Sequence, residues 1–513
     1  MKNKYKFLFS SILSFVMITS CDDGFDELNT NPIRLTSIDP VFQLNDAVVA
    51  SSVNYGDLTY PVTIVRQMIT PFTGVGSGAN INDDNRSQTG GKWNSAFSGR
   101  VKNLTDGINT TKDDPDKTNL YNMLRIWRAY TFMLLTDTYG DVPYSQAGLG
   151  YIDGTAFPEY DTQENIYSDI LNELDVASGA LSSSKDAVSQ DALYGGNMDQ
   201  WKRLGYSLLL RAAMRLSKID ESKAASFAAK AVAGGLMQSN DDNALLRHNA
   251  NFRNSMGSNL NGGQDGFYYI DEEFVNYLQA NNDPRLSVMA VRYVGAASNN
   301  DQKDMDAAGT GDTSAGAQIG MPQGYDNTSI IPIVAGASLA SLYDYTTLDK
   351  TRLGNPEAPS FLVTYSQTQL LLAEAIVRTW ASGDAAAAYS NGIEAHMQQL
   401  SDFPGDTDVA QDDIDAYVLA NPLTTGSEIE LINNQYWVSS FLIGDEAWAN
   451  FRRSGFPIVA PNPYPGSVLT TEDFIRRLTY PDGEFTVNKA NIDVAIGRQG
   501  ADILDTRVWW DKK

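Results

Sequence analysis

The clearest pattern in the chain is an apolar side chain at every third or fourth position of residues 165–181, with acidic residues between them. This spacing predicts an amphipathic helix. Residues 120–135 are apolar on nearly all sides, which predicts a helix buried among other helices. Similar patterns predict four more helices, at residues 201–216, 369–380, 385–400 and 432–451. Helix therefore dominates the predicted structure.

Long polar stretches separate the predicted helices. They are rich in Gly, Asn, Ser and Asp and cover residues 74–92, 295–327 and 405–427. Loops of this length in a compact protein are usually functional or disordered, so we expect the working surface to lie there. No proline-rich or serine-rich linker divides residues 33–513. We therefore expect a single domain over that range.

The N-terminus has the pattern of a secretory signal. Three lysines occur within the first six residues, and residues 7–20 carry no charge. These two stretches match the basic and apolar regions of a signal peptide. As a helix, the apolar stretch would span only about 21 Å, which is shorter than a bilayer core of about 30 Å. We therefore predict that residues 1–20 are a removable signal peptide and not a membrane span.

The signal ends in Ile18-Thr19-Ser20-Cys21, and Cys21 is the only cysteine of the chain. An aliphatic residue and two small residues before a cysteine resemble a bacterial lipobox. This predicts that Cys21 is acylated and anchors the mature protein to a membrane. The acidic, turn-rich residues 21–32 would then form the acylated N-terminus and a short tether.

The net charge of the chain argues against some classes of binding partner. The chain has 38 basic and 63 acidic residues, a formal net charge of −25. Nucleic acids and anionic membrane surfaces are bound by clustered Lys and Arg, so we predict no nucleic-acid partner and membrane contact only through the lipid.

Short motifs follow one another in a characteristic order along the chain. They lie at residues 25–32, 137–147, 158–175, 201–216, 282–286, 372–375, 389–393, 446–457, 476–481 and 508–510. As an ordered set, they resemble the SusD/RagB-like outer-membrane nutrient-binding lipoproteins of Bacteroidetes, especially the second SusD-like type.

The resemblance implies an all-α fold of tetratricopeptide-like helix pairs, with long irregular loops that form a ligand-binding face. It also implies a SusC-like TonB-dependent outer-membrane transporter as partner. The protein would be lipid-anchored in the outer membrane, face the cell exterior, and bind an oligosaccharide or, as an alternative, a peptide. On this resemblance the protein is a binding protein and not an enzyme, and requires no cofactor.

Catalytic chemistry has one candidate, Glu374, which lies in an apolar predicted helix. Burial would raise the pKa of this carboxyl and suit a general acid. The alternative is that Glu374 accepts hydrogen bonds from an arginine such as Arg211, Arg215 or Arg452. The chain has only two histidines and lacks the Gly-x-Ser-x-Gly, His-Glu-x-x-His and phosphate-loop motifs.

Two acidic groups are candidate metal ligands. Asp301, Asp304 and Asp306 cluster in a predicted loop and could hold calcium, although a solvated loop is the alternative. Asp137 and Asp141 could also bind a metal, but both belong to a Gly- and Pro-containing segment that ends a predicted helix. We therefore favour a scaffold role for the second pair.

Aromatic and polar residues in the loops are the candidate ligand contacts, because sugar rings stack on aromatic faces while polar groups hold their hydroxyls. These candidates are Phe72, Asn82, Asp84, Arg86, Trp93, Tyr293 and Tyr325. Trp93 and Phe97 have helical spacing, so a core pair is the alternative for Trp93.

The favoured function is capture of an oligosaccharide outside the cell and its delivery to a transporter. Two other classes stay open at this point. One is a surface glycoside hydrolase that uses carboxylates such as Glu374. The other is a tetratricopeptide-like assembly protein without a small ligand.

Overall fold

The computed structural model describes residues 38–52, 54–72 and 75–513. The predicted signal peptide, Cys21 and the tether lie outside the described residues. Within these ranges, every helix is too short or too polar to cross a membrane.

The α-helices of the described ranges are α1 (Pro40–Val49), α2 (Tyr55–Ile64), α3 (Val75–Asn80), α4 (Arg86–Thr89), α5 (Gly91–Ser95), α6 (Lys102–Thr111), α7 (Thr118–Tyr139), α8 (Gln163–Ala180), α9 (Met198–Arg215), α10 (Glu221–Gly234), α11 (Ser255–Asn261), α12 (Glu272–Ala280), α13 (Arg285–Met289), α14 (Asn299–Ala307), α15 (Ile331–Gly336), α16 (Tyr365–Val377), α17 (Ala385–Gln399), α18 (Gln411–Ala420), α19 (Glu428–Ser439), α20 (Gly444–Ser454), α21 (Glu484–Val487) and α22 (Lys489–Gln499). A π-helical turn, Ala96–Val101, leads into α6.

Helices that follow one another in the chain pack together. Helix α7 packs on α8, α8 on α9 and α9 on α10, and in the second half α16 packs on α17 and α19 on α20. Contacts of α9 with α16, and of α20 with α2, join the two halves. The predicted all-α fold of paired helices is confirmed.

Helix α7 shows how the local sequence sets this arrangement. Most of its residues are buried, as the apolar character of residues 120–135 predicts. The helix ends at Gly140, whose φ of 81° is a backbone conformation that side chains other than glycine rarely adopt. The Gly- and Pro-containing segment after α7 therefore terminates the helix, as predicted.

Some boundaries differ from the prediction. The predicted helix 432–451 is two helices, α19 and α20, separated by a turn in which Leu442 has a φ of 64°. The predicted loops contain helices: α3 and α4 in the first, α14 in the second and α18 in the third. These helices are short or have few buried apolar side chains, so their sequences lack the periodic pattern that reveals a helix.

The described strands are β1 (Met68–Ile69), β2 (Val142–Pro143), β3 (Tyr160–Asp161), β4 (Ala244–Leu246), β5 (Tyr269–Ile270), β6 (Ala290–Val291), β7 (Thr347–Leu348) and β8 (Ser360–Val363). Four of them form an antiparallel sheet in the order β1-β5-β7-β6, and the others pair as β2 with β3 and β4 with β8. Two to four residues are too few to show strand alternation, so the sequence did not predict these strands.

The buried apolar side chains form one large cluster, which extends along the described chain from Val41 to Trp510. Two smaller clusters lie beside the four-stranded sheet, one around Tyr269 and the other around Tyr293. The sheet therefore has its own small cores next to the helical body.

Ion pairs inside the large core join helices that are distant in sequence. Arg453 in α20 donates to both carboxylate oxygens of Glu374 in α16, with N–O distances of 2.7 Å. Arg378 adds a third bond at 2.9 Å. Burial would raise the pKa of Glu374, but the two guanidinium groups outweigh it and lower this pKa to about 2. Glu374 thus accepts from arginines, as one alternative predicted, although the partners are Arg453 and Arg378 and not those suggested.

The carboxylates after α7 are likewise structural. Asp137 accepts from Arg215 Nε at 3.1 Å and from Trp510 Nε1 at 2.8 Å. Asp141 accepts from Arg498 Nε at 2.6 Å. Arginine and tryptophan donors thus bind the two carboxylates that would have to coordinate a metal ion. These hydrogen bonds support the scaffold role of Asp137 and Asp141.

We expect Glu374→Gln to lower the free energy of unfolding by about 3–5 kcal/mol at pH 7, because it leaves the buried guanidinium of Arg453 unpaired. The pKa of Glu374 is about 2 in the folded protein against an ordinary value of 4.5. The ion pair therefore stabilises the fold fully above about pH 4.5, and about 3 kcal/mol is lost as the pH falls towards 2. Urea denaturation at several pH values measures both effects.

The matched control is Glu164→Gln, at an exposed position of α8. It should change stability by less than about 0.5 kcal/mol. Equal stability of Glu374→Gln and the unmodified protein at pH 7 would contradict the role given to this ion pair.

Candidate functional site

Three partly exposed aromatic rings meet beside the four-stranded sheet. The ring centroids of Phe72 and Phe267 are 4.7 Å apart, and those of Phe72 and Tyr343 are 6.3 Å apart. All three side chains are neither fully buried nor fully exposed. We call Phe72, Phe267 and Tyr343 the aromatic platform.

The four-stranded sheet brings these three residues together. Phe72 follows β1, Phe267 precedes β5 and Tyr343 precedes β7, each within four residues of its strand. Strands β1 and β5 pair antiparallel, so the end of β1 lies beside the start of β5. The Tyr269 hydroxyl also donates to the Gly266 carbonyl at 2.7 Å, which holds the turn before Phe267.

Oxygen acceptors without donors surround Gly266, next to the platform. Four buried side-chain oxygens have no hydrogen-bond partner among the described residues: those of Gln264, Asp265, Asn299 and Gln302. A Cβ atom at Gly266 would lie 2.6 Å from Asn299 Oδ1 and 2.9 Å from Tyr343 Cε1. The absence of a side chain at this position thus lets the turn approach the amides and the platform closely.

Charged groups border this region. Lys350 Nζ lies 3.3 Å from Asp265 Oδ2 and 3.1 Å from Asp306 Oδ2. The Tyr293 hydroxyl donates to Asp306 Oδ1 at 2.7 Å. Aromatic faces beside amide, carboxylate and ammonium groups suit a ligand with apolar faces and many hydroxyls.

Three of the predicted ligand residues lie in this part of the molecule. Phe72 belongs to the platform. Tyr325 packs on the same small core as Phe72, and its carbonyl accepts from Asn80 Nδ2 at 2.7 Å. Tyr293 is only 5% exposed and belongs to the small core against which Tyr343 packs. It therefore supports the platform from the protein interior.

Trp93 matches the core-pair alternative. Its side chain is 3% exposed, and its ring lies 4.6 Å from that of Phe97 and 5.2 Å from that of Tyr139, between centroids. The core-pair alternative therefore describes Trp93, because a ring enclosed by other rings offers no face to a ligand.

Asn82, Asp84 and Arg86 contact the C-terminal part of the chain. Asn82 is 5% exposed and donates to Ser467 Oγ at 3.1 Å. Asp84 accepts from the Thr479 hydroxyl at 2.6 Å, and Arg86 binds Asp502 at the same distance. These side chains make structural contacts, and their contact with a ligand stays a prediction.

The predicted calcium cluster lies on a helix and not in a loop. Asp301, Asp304 and Asp306 belong to α14, where Asp301 accepts from the Ala297 backbone N–H at 2.9 Å. Asp306 already binds Tyr293 and Lys350. The described part of the chain contains no group of three His, Cys, Asp or Glu residues placed to hold a metal ion. Calcium binding stays a prediction that this geometry does not support.

Sequence reasoning missed Phe267 and Tyr343. The signal for Phe267 is present in the chain, since Asn261-Gly-Gly-Gln-Asp-Gly266 is a glycine-rich turn directly before an aromatic residue. Tyr343 has no comparable signal, because Ser341-Leu-Tyr-Asp-Tyr345 shows neither glycine nor a long polar stretch.

Comparison with known families shows to which protein family the chain belongs. A family model for the second SusD-like type, described as "Starch-binding associating with outer membrane", matches residues 33–481. The chain belongs to the SusD-like family. No curated protein matches the SusD-like chain.

Solved structures share its fold. A chitin-binding protein is 28% identical with a TM-score of 0.80, and the similarity covers 92% of the SusD-like chain and 100% of that chain. A SusD-like protein of Bacteroidetes AC2a is 26% identical with a TM-score of 0.77. The similarity covers 93% of the present chain and 100% of the AC2a protein. A chitin-binding SusD homologue from Flavobacterium johnsoniae is 22% identical with a TM-score of 0.70. The similarity covers 94% of the present chain and 97% of the homologue, and it shows that the two proteins share a fold.

We expect Trp93→Ala to lower the free energy of unfolding by about 3–5 kcal/mol, because it empties a space enclosed by other aromatic rings. Urea denaturation followed by circular dichroism measures this loss. The matched control is Tyr151→Ala, whose aromatic side chain is 92% exposed and should contribute less than about 0.5 kcal/mol. Equal stability of the Trp93→Ala and Tyr151→Ala variants would show that Trp93 is not a core residue.

Proposed function

We propose that this SusD-like protein is a surface lipoprotein of the outer membrane that binds an oligosaccharide and delivers it to a TonB-dependent transporter. The aromatic platform of Phe72, Phe267 and Tyr343 is the observation that carries the binding part. The family description, which joins starch binding with the outer membrane, supports the same class of ligand and location.

A sugar ligand fits the chemistry around the platform. Pyranose rings stack their C–H faces on aromatic rings, and their hydroxyls donate to oxygen acceptors. Lys350 and Asp306, which are partly exposed at the border of this region, supply an ammonium and a carboxylate group for such contacts. The 28% identical relative is a chitin-binding protein, which makes oligomers of N-acetylglucosamine the first ligands to test.

The glycoside hydrolase alternative loses its candidate residue. Glu374 is 0% exposed and is held by two arginines that lower its pKa to about 2. A general acid must be protonated near neutral pH and must reach the substrate. Glu374 meets neither condition, so its geometry favours the binding function.

Membrane attachment in this proposal comes from Cys21. Acylation at the predicted lipobox, followed by the short tether up to residue 32, would hold the folded body beside a membrane. The large excess of acidic residues argues against attachment through a basic protein surface.

We expect Phe72→Ala and Tyr343→Ala each to weaken binding of a chitin oligosaccharide about tenfold, because a lost stacking face removes about 1.4 kcal/mol. Isothermal titration calorimetry with a chitin hexaose, followed by a panel of other glycans and peptides, measures the affinity. The control is Tyr151→Ala, which removes an exposed aromatic ring elsewhere and should bind normally.

Two outcomes would count against this site. If a glycan binds and its affinity is unchanged in both platform variants, the glycan site lies elsewhere. If every glycan fails and a peptide binds tightly, the ligand class is wrong and the peptide alternative replaces it.

We expect Cys21→Ser to release the protein from membranes, because serine lacks the thiol that is acylated. Membrane fractionation and partition into detergent, compared between this variant and the unmodified protein in a bacterium that makes lipoproteins, measure the effect. Retention of the Cys21→Ser variant in the membrane fraction would contradict lipid anchoring at this residue.

A further inference from the structure

A cavity lies inside the helical body, and none of its lining residues belongs to the aromatic platform. Its volume is about 150 Å³, and its walls include residues of α2, α5, the π-helical turn, α7, α9, α20 and strand β8. Ala50, Asn54 and Ser95 line it and are exposed, so the cavity reaches solvent beside them. A water molecule occupies about 30 Å³, so the space corresponds to about five waters or one small organic molecule.

Six charged side chains line this cavity, three of each sign: Lys92, Arg100, Arg211, Asp57, Asp445 and Glu446. Four of them have charged partners, and Glu446 also pairs with Arg215, which does not line the cavity. Lys92 pairs with Asp445, and Arg211 Nη1 lies 3.4 Å from Glu446 Oε2. One carboxylate, Asp57, and one guanidinium, Arg100, are left over.

The two remaining charges have no direct partner in the part of the chain that the structure describes. Among the described residues, none forms a side-chain hydrogen bond or an ion pair with Asp57 or Arg100, although both side chains are largely buried. Tyr130 also lines the cavity, is 4% exposed, and has no hydrogen-bond partner for its hydroxyl among the described residues. Three polar groups therefore face this cavity without a protein partner.

Burial disfavours the charged forms of both Asp57 and Arg100. Burial raises the pKa of Asp57 in spite of the nearby Lys92. Burial lowers the pKa of Arg100 in spite of the nearby Tyr130 and Asp57. In Glu374, by contrast, arginines outweigh burial. The fold thus keeps two charges at a cost in stability that its own groups do not offset.

We propose that this cavity binds a small zwitterion, whose ammonium group pairs with Asp57 and whose carboxylate pairs with Arg100. The lining as a whole is neutral, so a ligand with one charge of each sign completes both pairs and adds no net charge. A simple cation or anion would complete only one pair. A neutral polyol would leave both buried charges without a counter-charge. The Tyr130 hydroxyl supplies a further hydrogen bond to the ligand.

The first test compares ligands with the purified protein by isothermal titration calorimetry at pH 7. The zwitterions are glycine, β-alanine and 4-aminobutyrate, which separate the two charges by increasing distances. Methylammonium, acetate and glycerol each lack part of the required chemistry. We expect one zwitterion to bind at a ratio of 1:1, and these three molecules to bind about tenfold more weakly or not at all.

The second test uses the variants Asp57→Asn and Arg100→Gln. Each should weaken binding of that zwitterion about tenfold or more, because one charged hydrogen bond is lost. Without ligand, neither variant should have a lower thermal midpoint than the unmodified protein, since each removes an unpaired buried charge. The matched controls are Glu164→Gln and Arg253→Gln, which change exposed residues of the same types and should bind normally.

Three results would overturn the proposal. The first is that no zwitterion of the panel binds. The second is that glycerol binds as tightly as the best zwitterion, which would assign the cavity to neutral polyols. The third is that binding persists unchanged in both Asp57→Asn and Arg100→Gln, which would place the zwitterion at another site.

Discussion

Buried carboxylate–guanidinium pairs fix the relative positions of the helices, and the remaining structure depends on them. Glu374 of α16 pairs with Arg453 of α20, and Glu446 of α20 pairs with Arg215 of α9. Apolar packing alone tolerates small shifts between helices, whereas a bidentate ion pair requires particular distances and angles. A chain with one cysteine cannot form an internal disulfide, so directional contacts between distant helices come from these ion pairs and from buried hydrogen bonds such as that of Arg211 with Gln367.

The candidate ligand site depends on this helical body although its residues come from loops. Gln67, just before β1, donates to the Trp437 carbonyl of α19 at 2.7 Å, and Trp437 Nε1 donates back to the Val65 carbonyl at 2.8 Å. These two bonds attach the edge of the four-stranded sheet to a buried helix. The sheet in turn positions Phe72 and Phe267 through the pairing of β1 with β5. Short strands can therefore present aromatic rings in a fixed arrangement, because the helices hold the sheet.

The sequence predicted features that depend on local patterns and missed those that depend on how distant elements meet. The predicted helix 165–181 agrees with α8 (Gln163–Ala180) within two residues at each end. The agreement follows because the spacing of apolar residues indicates which face of the helix is buried. The sequence also placed Glu374 next to an arginine, but only the packing of α16 on α19 and α20 selects Arg453. The aromatic platform joins residues from three distant parts of the chain, and no local pattern in Tyr343 distinguishes it from a core tyrosine. For Trp93, by contrast, the helical spacing to Phe97 is a local signal of the core position that the structure shows.

Buried and half-buried charges of this protein differ in whether the fold supplies a direct partner. At Glu374, the guanidinium groups of Arg453 and Arg378 bind the carboxylate and lower its pKa although it is buried. At Asp57 and Arg100 the neighbours are too few to offset burial, and both pKa shifts disfavour the charged forms. Asp57 and Arg100 line the same cavity, and the described residues form no side-chain hydrogen bond or ion pair with either of them. A ligand from solution that carries both charges would complete the two groups together.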